Sequence, residues 1–270
     1  MQHFYNKYNL GDCLVSIHFL NKLLEKNNFE CNFYCKDEYH KELQPLINSN
    51  SKINLNPKSE SKGINLWVSN ILWRVKDVEG ENYPFFSKKY PHLEDVCEMV
   101  FKSHKLLCLE NNFIFPYNNK FDIFFDEEIV LKDSNIGQYD YIIVNSDCKS
   151  GQVHFTSQEN DNIFTSIITQ IISQGSSFIT TKKHGEYPCT CDYGLTIGEI
   201  GQLSKNCKMV IGVPTSPFWI LINKNSLNNN IKFLNITEDI CTYDIDSVDT
   251  IKGSYSEQIN YFNNIFTLPK

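Results

Sequence analysis

The sequence predicts an α/β protein built from two Rossmann-like α/β/α domains facing a cleft, and three observations carry that expectation. Short apolar segments alternate with amphipathic ones along most of the 270 residues, as parallel strands joined by helices do. The alternation comes as two series, separated by an irregular, phenylalanine-rich connection over residues 110–138. Residues 195–223, LTIGEIGQLSKNCKMVIGVPTSPFWILIN, hold the repeating unit in full: an amphipathic helix, a buried strand, a tight turn and the start of another helix. A chain of this length can form two domains of about 130 residues, each able to bury a proper core. The expected division is 1–125 and 126–270, with the C-terminal helix free to pack back on the first domain.

In the first series, His3-Phe4-Tyr5 opens a short strand, and Asn9-Leu10-Gly11-Asp12 turns the chain into a helix. Leu14, Ile17, Leu20, Leu23 and Leu24 give that helix its apolar face, and it ends near Lys26-Asn27-Asn28. Residues 29–34 read as a second strand, 37–47 as a polar helix and Ile53-Asn54-Leu55 as a third strand. INLWVS, at 64–69, reads as a further strand with Trp67 and Val68 inside. A long helix within 93–109 places Val96, Val100, His104 and Leu107 on one face. Beyond it Phe113, Phe115, Phe121, Phe124 and Phe125 lie between polar residues, which suits a connection packed across a domain boundary.

The second series opens on residues 139–144, YDYIIV, the clearest strand in the chain. The polar loop 145–151 follows, then a helix from about 158 to 173 carrying Ile163, Ile167, Ile168 and Ile171. Residues 177–181 form the next strand. Met209-Val210-Ile211 is short, apolar and partly β-branched, as a central parallel strand should be. After it, Gly212-Val213-Pro214-Thr215-Ser216-Pro217 turns the chain, with Ser216 placed to cap a helix that begins at Pro217. The open amides of such a helix start favour a phosphate, although the same turn recurs as plain connection in every doubly wound sheet. Residues 231–236 read as the last strand and 255–266 as a closing helix with Ile259, Phe262 and Ile265 spaced for docking.

Composition narrows the function classes. Hydrophobic content of 41% with 13% aromatics marks a folded protein, and the net charge is -7. The 24 lysines accompany a single arginine, Arg74, and no basic cluster of the kind a nucleic-acid binder carries is present. A phosphate must therefore be held by backbone amides, hydroxyls and lysines rather than by arginine forks. The chain contains no alanine, while Asn, Lys and Ile abound, as an AT-rich genome would give. Ten scattered cysteines and no recognisable signal peptide favour reduced thiols in the cytoplasm. Cys189-Thr190-Cys191, with His184 and Cys207 nearby, fits no zinc spacing and reads as buried or incidental thiols. No apolar run approaches the roughly 18 residues of a membrane span.

Two motifs together say more than either alone. Asn9-Leu10-Gly11-Asp12 precedes the helix CLVSIHFLNKLLEK, and GEIGQLSKNCKMVIGVPTSPFWILIN gives helix, strand and T-x-P turn near the other end. This pairing resembles the heptosyltransferase-like glycosyltransferases (glycosyltransferase family 9-like) of the GT-B fold. Their first βα turn carries Leu-Gly-Asp, and their second domain carries an Asp-Thr-Gly-Pro turn before a His-bearing helix. The resemblance is strongest over residues 9–26 and 195–223 and vague over 28–138. It implies an acceptor-side domain over 1–125, a nucleotide-sugar-binding domain over 126–270, and transfer of a sugar to a hydroxyl of a glycan or glycoconjugate with no metal cofactor. By the same resemblance Asp12 matches the general base; the plainer reading of the residue is an N-cap of its helix, and the two roles are compatible. Ser146 and Lys149 match the loop that holds the donor diphosphate, Glu186 the carboxylate on the ribose, and Thr215 and Ser216 the diphosphate turn. Pro214 stands where the family has the turn's aspartate and Trp219 where it has the histidine, so Trp219 is left to stack on a sugar or base or to pack in the core. These departures keep open the alternative of a catalytically inactive, GT-B-like protein that binds sugar or nucleotide or serves in assembly. A sugar-nucleotide epimerase is a third reading, for which the chain is short.

Overall fold

The computed structural model describes residues 1–49, 51–68, 95–126, 137–147, 155–238, 242–265 and 267–268, and the chain divides into two compact units, Met1–Phe125 and Asp126–Lys270. In the first unit, β1 (Gln2–Tyr5) lies beside β2 (Cys31–Cys35), which lies beside β3 (Ile53–Pro57). β4 (Ile64–Asn65) pairs with the other side of β1, so the parallel order is β3-β2-β1-β4. Helix α1 (Leu10–Lys26) carries the chain from β1 to β2 and buries Cys13, Leu14, Ile17, Leu20 and Leu23. The polar helix expected over 37–47 is broken into helical turns around α2 (His40–Leu43), because Pro45 has no N–H to continue the ladder.

Helix α3 (Val96–Glu110) starts on Asp95, whose carboxylate accepts from the Cys97 and Glu98 amides. Its buried face holds the expected Val96, Val100, His104 and Leu107. The described part of the aromatic stretch that follows, up to Phe125, packs on the first unit. Phe113 lies 6.0 Å from Phe4 and 5.3 Å from Phe29, and Phe125 meets the His18 ring edge-on at 4.9 Å. Burial of these rings outweighs the polar residues between them, which point outward as the segment runs over the helices.

The second unit has the parallel order β6-β5-β7-β8-β9. β5 (Tyr141–Val144) is buried throughout, between β6 (Phe178–Thr180) and β7 (Met209–Gly212), with β8 (Lys232–Thr237) and β9 (Val248–Lys252) beyond. β9 lies past the strand expected to be last. Its sequence, VDTIK, buries only Val248 and so carries little apolar signal. Helix α4 (Ser157–Ser173) opens with a Thr156–Glu159 capping box and buries Ile163, Phe164, Ile167, Ile168 and Ile171 against the sheet. α5 (Ile197–Gln202), α6 (Ser216–Leu221) and α7 (Lys224–Asn228) are short.

α8 (Tyr255–Asn260) and the π-helical turn Tyr261–Ile265 close the chain. They dock on α4 of their own unit: Ser166 Oγ donates to Asn263 Oδ1 at 2.6 Å, Gln170 Nε2 to the Phe262 carbonyl at 2.6 Å, and Phe262 is fully buried. A buried phenylalanine and two side-chain hydrogen bonds explain that docking.

Asn223 braces three of the short elements. It is fully buried, its side-chain amide donates to Ser204 Oγ at 3.0 Å and to the Gly201 carbonyl at 3.2 Å, and its Oδ1 accepts from the Ser226 amide at 3.1 Å. Asn223→Ala leaves those groups unpaired and should lower unfolding stability by about 2 kcal/mol, read from the shift of a urea midpoint at unchanged slope.

Cys189 and Cys191 are joined in a disulfide, with Cα atoms 5.2 Å apart across the start of a helical turn. This departs from the incidental thiols expected there. The other described cysteines, Cys13, Cys31, Cys35, Cys97, Cys108 and Cys207, are buried and outside any disulfide. Among the described residues no helix is long and apolar enough to cross a membrane.

Candidate functional site

Each sheet has one place where the chain reverses the direction in which strands are added, and there the loops after two adjacent parallel strands diverge and open a crevice. In the first unit that place lies between β1 and β4. In the second it lies between β5 and β7. Most of the expected site residues gather at these two points.

At the first, Asn6 shapes the loop after β1. It is fully buried, its side chain donates to the Asp12 carbonyl at 3.1 Å and to Ser16 Oγ at 3.0 Å, and its Oδ1 accepts from the Tyr8 amide at 3.1 Å. Asp12 is the third residue of α1, and its Oδ2 accepts from the Asn9 amide at 3.3 Å. The N-cap is therefore Asn9 and not Asp12, which instead closes the capping box from the third helical position and has carboxylate lone pairs left over. Burial pushes the Asp12 carboxyl up to about 6, against the opposing hydrogen bond from the Asn9 amide. An acid with that affinity is ionised at neutral pH and takes up a proton readily.

Trp67 was expected inside a strand. β4 stops at Asn65, because the Trp67 amide donates to Asn65 Oδ1 at 3.0 Å instead of continuing the ladder. The indole is thereby released from the sheet, half-buried, and stacks on the Tyr8 ring with centroids 3.8 Å apart and planes 23° from parallel. The sequence pattern gave no sign of Trp67 or Tyr8 at this site; Asn65, a poor strand residue, was the available hint.

In the second unit the loop after β5 is fastened to the loop after β6. Asn145 exchanges hydrogen bonds with the Lys182 backbone at 2.9 and 2.8 Å, and Ser146 Oγ lies 2.9 Å from Thr181 Oγ1. Lys182 Nζ meets Asp147 at 2.7 Å. Across the crevice, β7 ends at Gly212, where a Cβ would lie 2.3 Å from the Val144 carbonyl oxygen, so only glycine lets the two strand ends approach this closely. The Val213 amide then donates to that same carbonyl at 3.1 Å. Thr215, rather than Ser216, is the N-cap of α6, and its carbonyl accepts from the Trp219 amide at 3.0 Å. Ser216 and Pro217 are thus the first two helical residues, and the helix begins one residue earlier than expected.

Ser146, Thr215 and Ser216 therefore follow the two strands that flank the crevice, and Thr181 and Lys182, which the sequence did not single out, join them from β6. Lys149 lies outside the described residues. Glu186 is exposed, next to Gly185 with its φ of 55°, on the longer loop after β6. Trp219 is 5% exposed, its ring 6.4 Å from Tyr243, so its faces are taken up by packing and no open face is left to stack on a ligand. A chain sequence Asp244-Ile245-Asp246 occurs between β8 and β9 with both carboxylates exposed. Among the described residues no three His, Cys, Asp or Glu side chains gather as metal ligands would.

No family model matches the sequence, and no curated protein matches it. Solved structures do. An E. coli heptosyltransferase, WaaC, with ADP-2-deoxy-2-fluoro heptose aligns at a TM-score of 0.56 and 8% identity over 98% of this chain and 97% of that one. The chain has the heptosyltransferase-like GT-B fold. WaaC with ADP aligns at 0.53 and 9% identity, over 96% of this chain and 95% of that one. The iron-containing dodecameric glycosyltransferase TibC, from enterotoxigenic E. coli, aligns at 0.51 and 9% identity over 92% of this chain and 61% of that one. Within a heptosyltransferase-like fold the two crevices are the C-terminal edges of parallel sheets, where open α/β sheets take their ligands.

Proposed function

We propose that the chain is a glycosyltransferase that moves a sugar from a nucleotide-sugar donor to a hydroxyl of a glycan or glycoconjugate acceptor, without a metal ion and in the cytoplasm. One observation carries the reading: Asp12 sits at the switch point of the first sheet with its proton affinity raised to about 6 by burial. In the reaction, the acceptor oxygen bonds to the anomeric carbon while its proton passes to the Asp12 carboxylate. The bond from that carbon to the diphosphate breaks, and the nucleoside diphosphate leaves with the electron pair.

The donor diphosphate is assigned to the second unit, between Ser146 on one side and Thr215 with Ser216 on the other, and Lys149 is assigned to it by the family resemblance alone. Thr181 and Lys182 extend this set. Hydroxyls, lysines and backbone amides offset the leaving charge in the near absence of arginine. Glu186 is assigned to the ribose. The first unit, with Asp12, is assigned to the acceptor.

Pro214 and Trp219, which replace an acidic residue and a histidine of the resembled family, favour a second reading in which the chain binds donor without turning it over. A panel of nucleotide-sugars separates the two. The binding common to both should stabilise the protein by about 2.7 kcal/mol at a hundred times the dissociation constant. Release of nucleoside diphosphate at a rate above the protein-free control is the expected result. Stabilisation with no release from any donor would leave the silent reading, and no stabilisation by any donor would remove both.

A further inference from the structure

We propose that Cys189 and Cys191 are a site of reversible thiol–disulfide exchange, whose oxidised form braces Thr181 and Lys182 at the donor crevice and so tightens donor binding. The effect on the donor rests on the reading of that crevice as the diphosphate site; the exchange and the bracing do not. Pro188-Cys189-Thr190 runs alongside the end of β6. The Thr180 amide and hydroxyl both donate to the Pro188 carbonyl, at 2.9 and 3.0 Å, and Thr180 and Cys189 form a parallel bridge. Thr190 Oγ1 donates to the Thr181 carbonyl at 3.3 Å. A second link joins Lys183 Nζ to the Asp192 carboxylate at 2.8 Å, and that carboxylate accepts from the Cys189 amide at 3.1 Å. Thr181 and Lys182 in turn hold the crevice, through Ser146 Oγ at 2.9 Å and Asn145 Oδ1 at 2.8 Å. The disulfide therefore closes a turn that is bonded directly to the residues around the assigned diphosphate site.

The bridge has the properties of an exchangeable bond more than of a staple. Joining residues only 2 apart in sequence, it constrains the unfolded chain far less than a bridge across a long loop. Cys189 is fully buried and Cys191 exposed, whereas the six other described cysteines outside the bridge are all buried. Cys191 is thus the described cysteine that a dissolved thiol can reach. Its amide donates to Cys189 Sγ at 3.3 Å, a bond that favours the thiolate when Cys189 is the leaving sulfur. In the cytoplasm, where the chain is proposed to act, disulfides are usually transient and redox-sensing. In the exchange, a thiolate of a dithiol reductant attacks Cys191 Sγ, the S–S bond breaks, and Cys189 leaves with the electron pair and takes up a proton. The reductant's second thiolate then displaces Cys191, which is protonated in turn. The protein gains two electrons and two protons, and the reductant is left as a disulfide. A low-molecular-weight disulfide reverses both steps.

The test compares the full chain after oxidised glutathione with the same protein after dithiothreitol, both folded. Trapping with N-ethylmaleimide in denaturant, then trypsin, should find the peptide 184–205, which holds both cysteines, unlabelled in the first and doubly labelled in the second. The Thr180 and Lys182 amides should exchange with deuterated solvent about fivefold faster in the reduced protein, with the β8 amides unchanged. The dissociation constant for ADP or UDP should rise about fivefold on reduction. By reciprocity, saturating nucleotide should raise the dithiol-to-disulfide ratio at half-reduction by the same factor. Cys191→Ser, at an exposed position, should match the reduced protein under either condition. A pair that is doubly labelled even after oxidised glutathione overturns the proposal. So does equal amide exchange, or equal nucleotide affinity, in the two forms. If neither form binds either nucleotide, the assignment of the diphosphate site fails instead, and the amide exchange rates alone decide whether the pair braces Thr181 and Lys182.

Discussion

Asp12→Ala is expected to lower turnover by ~100-fold or more, about 2.7 kcal/mol of transition-state stabilisation, while nucleoside diphosphate binding persists. The size follows from the position of the residue. A half-buried carboxylate with a proton affinity near 6 is matched to accept a hydroxyl proton at neutral pH, and no second carboxylate is described beside it. The variant also loses the bond from the Asn9 amide, at 3.3 Å, which costs about 1 kcal/mol of helix stability and leaves the fold standing. Asp12→Asn separates the two roles, because the amide can still accept from Asn9 and cannot act as a base. Steady-state rates on the two variants, beside their melting midpoints, are the measurement. Wild-type turnover in Asp12→Asn would make Asp12 a cap and nothing more.

Buried His104 should contribute a loss of stability to the first unit in mild acid. Its ring is fully buried, stacked on Phe19 at 4.1 Å, with Nδ1 3.2 Å from the Tyr117 hydroxyl and Nε2 without a partner among the described residues. Burial, helped to a lesser degree by the nearby His18 ring, lowers its proton affinity to about 3. A folded value below the unfolded one means that the unfolded chain binds the extra proton. The stability is fully present above pH 6.5 and is lost at roughly 1.4 kcal/mol per pH unit as the pH falls from there towards 3. Asp12 opposes this, because its raised affinity lets the folded chain take up a proton between about pH 6 and 4, so the effect is read in an Asp12→Asn background. Urea midpoints there should decline between pH 7 and 4.5, and adding His104→Phe should flatten the decline. An unchanged slope in that variant would assign the acid sensitivity elsewhere.

Much of this protein was legible in its sequence, for identifiable reasons. β5 and β7 are buried on both faces, so their runs of Ile and Val announced them, and the isoleucine stripe of α4 did the same. Features governed by single polar contacts were not legible. The stop of β4 depends on one Asn65 hydrogen bond, and β9 is an edge strand with one buried side chain. The site divided along the same line. Asp12, Ser146, Thr215 and Ser216 follow strands that the pattern located, so their place at the sheet edges could be foreseen. Trp67, Tyr8 and Thr181 join them through side-chain geometry, which spacing does not encode. Trp219 went the other way: a residue one turn into α6 points inward, and its ring became core.

The central claim is that a nucleoside diphosphate binds at the β5–β7 switch point of the second unit. Backbone amide NMR during titration with ADP and UDP tests it most directly. The account predicts saturable shifts concentrated at Ser146, Thr181, Lys182 and residues 213–216, with β8 and β9 little changed. Shifts centred elsewhere in the chain, or none with either nucleotide at millimolar concentration, would contradict it.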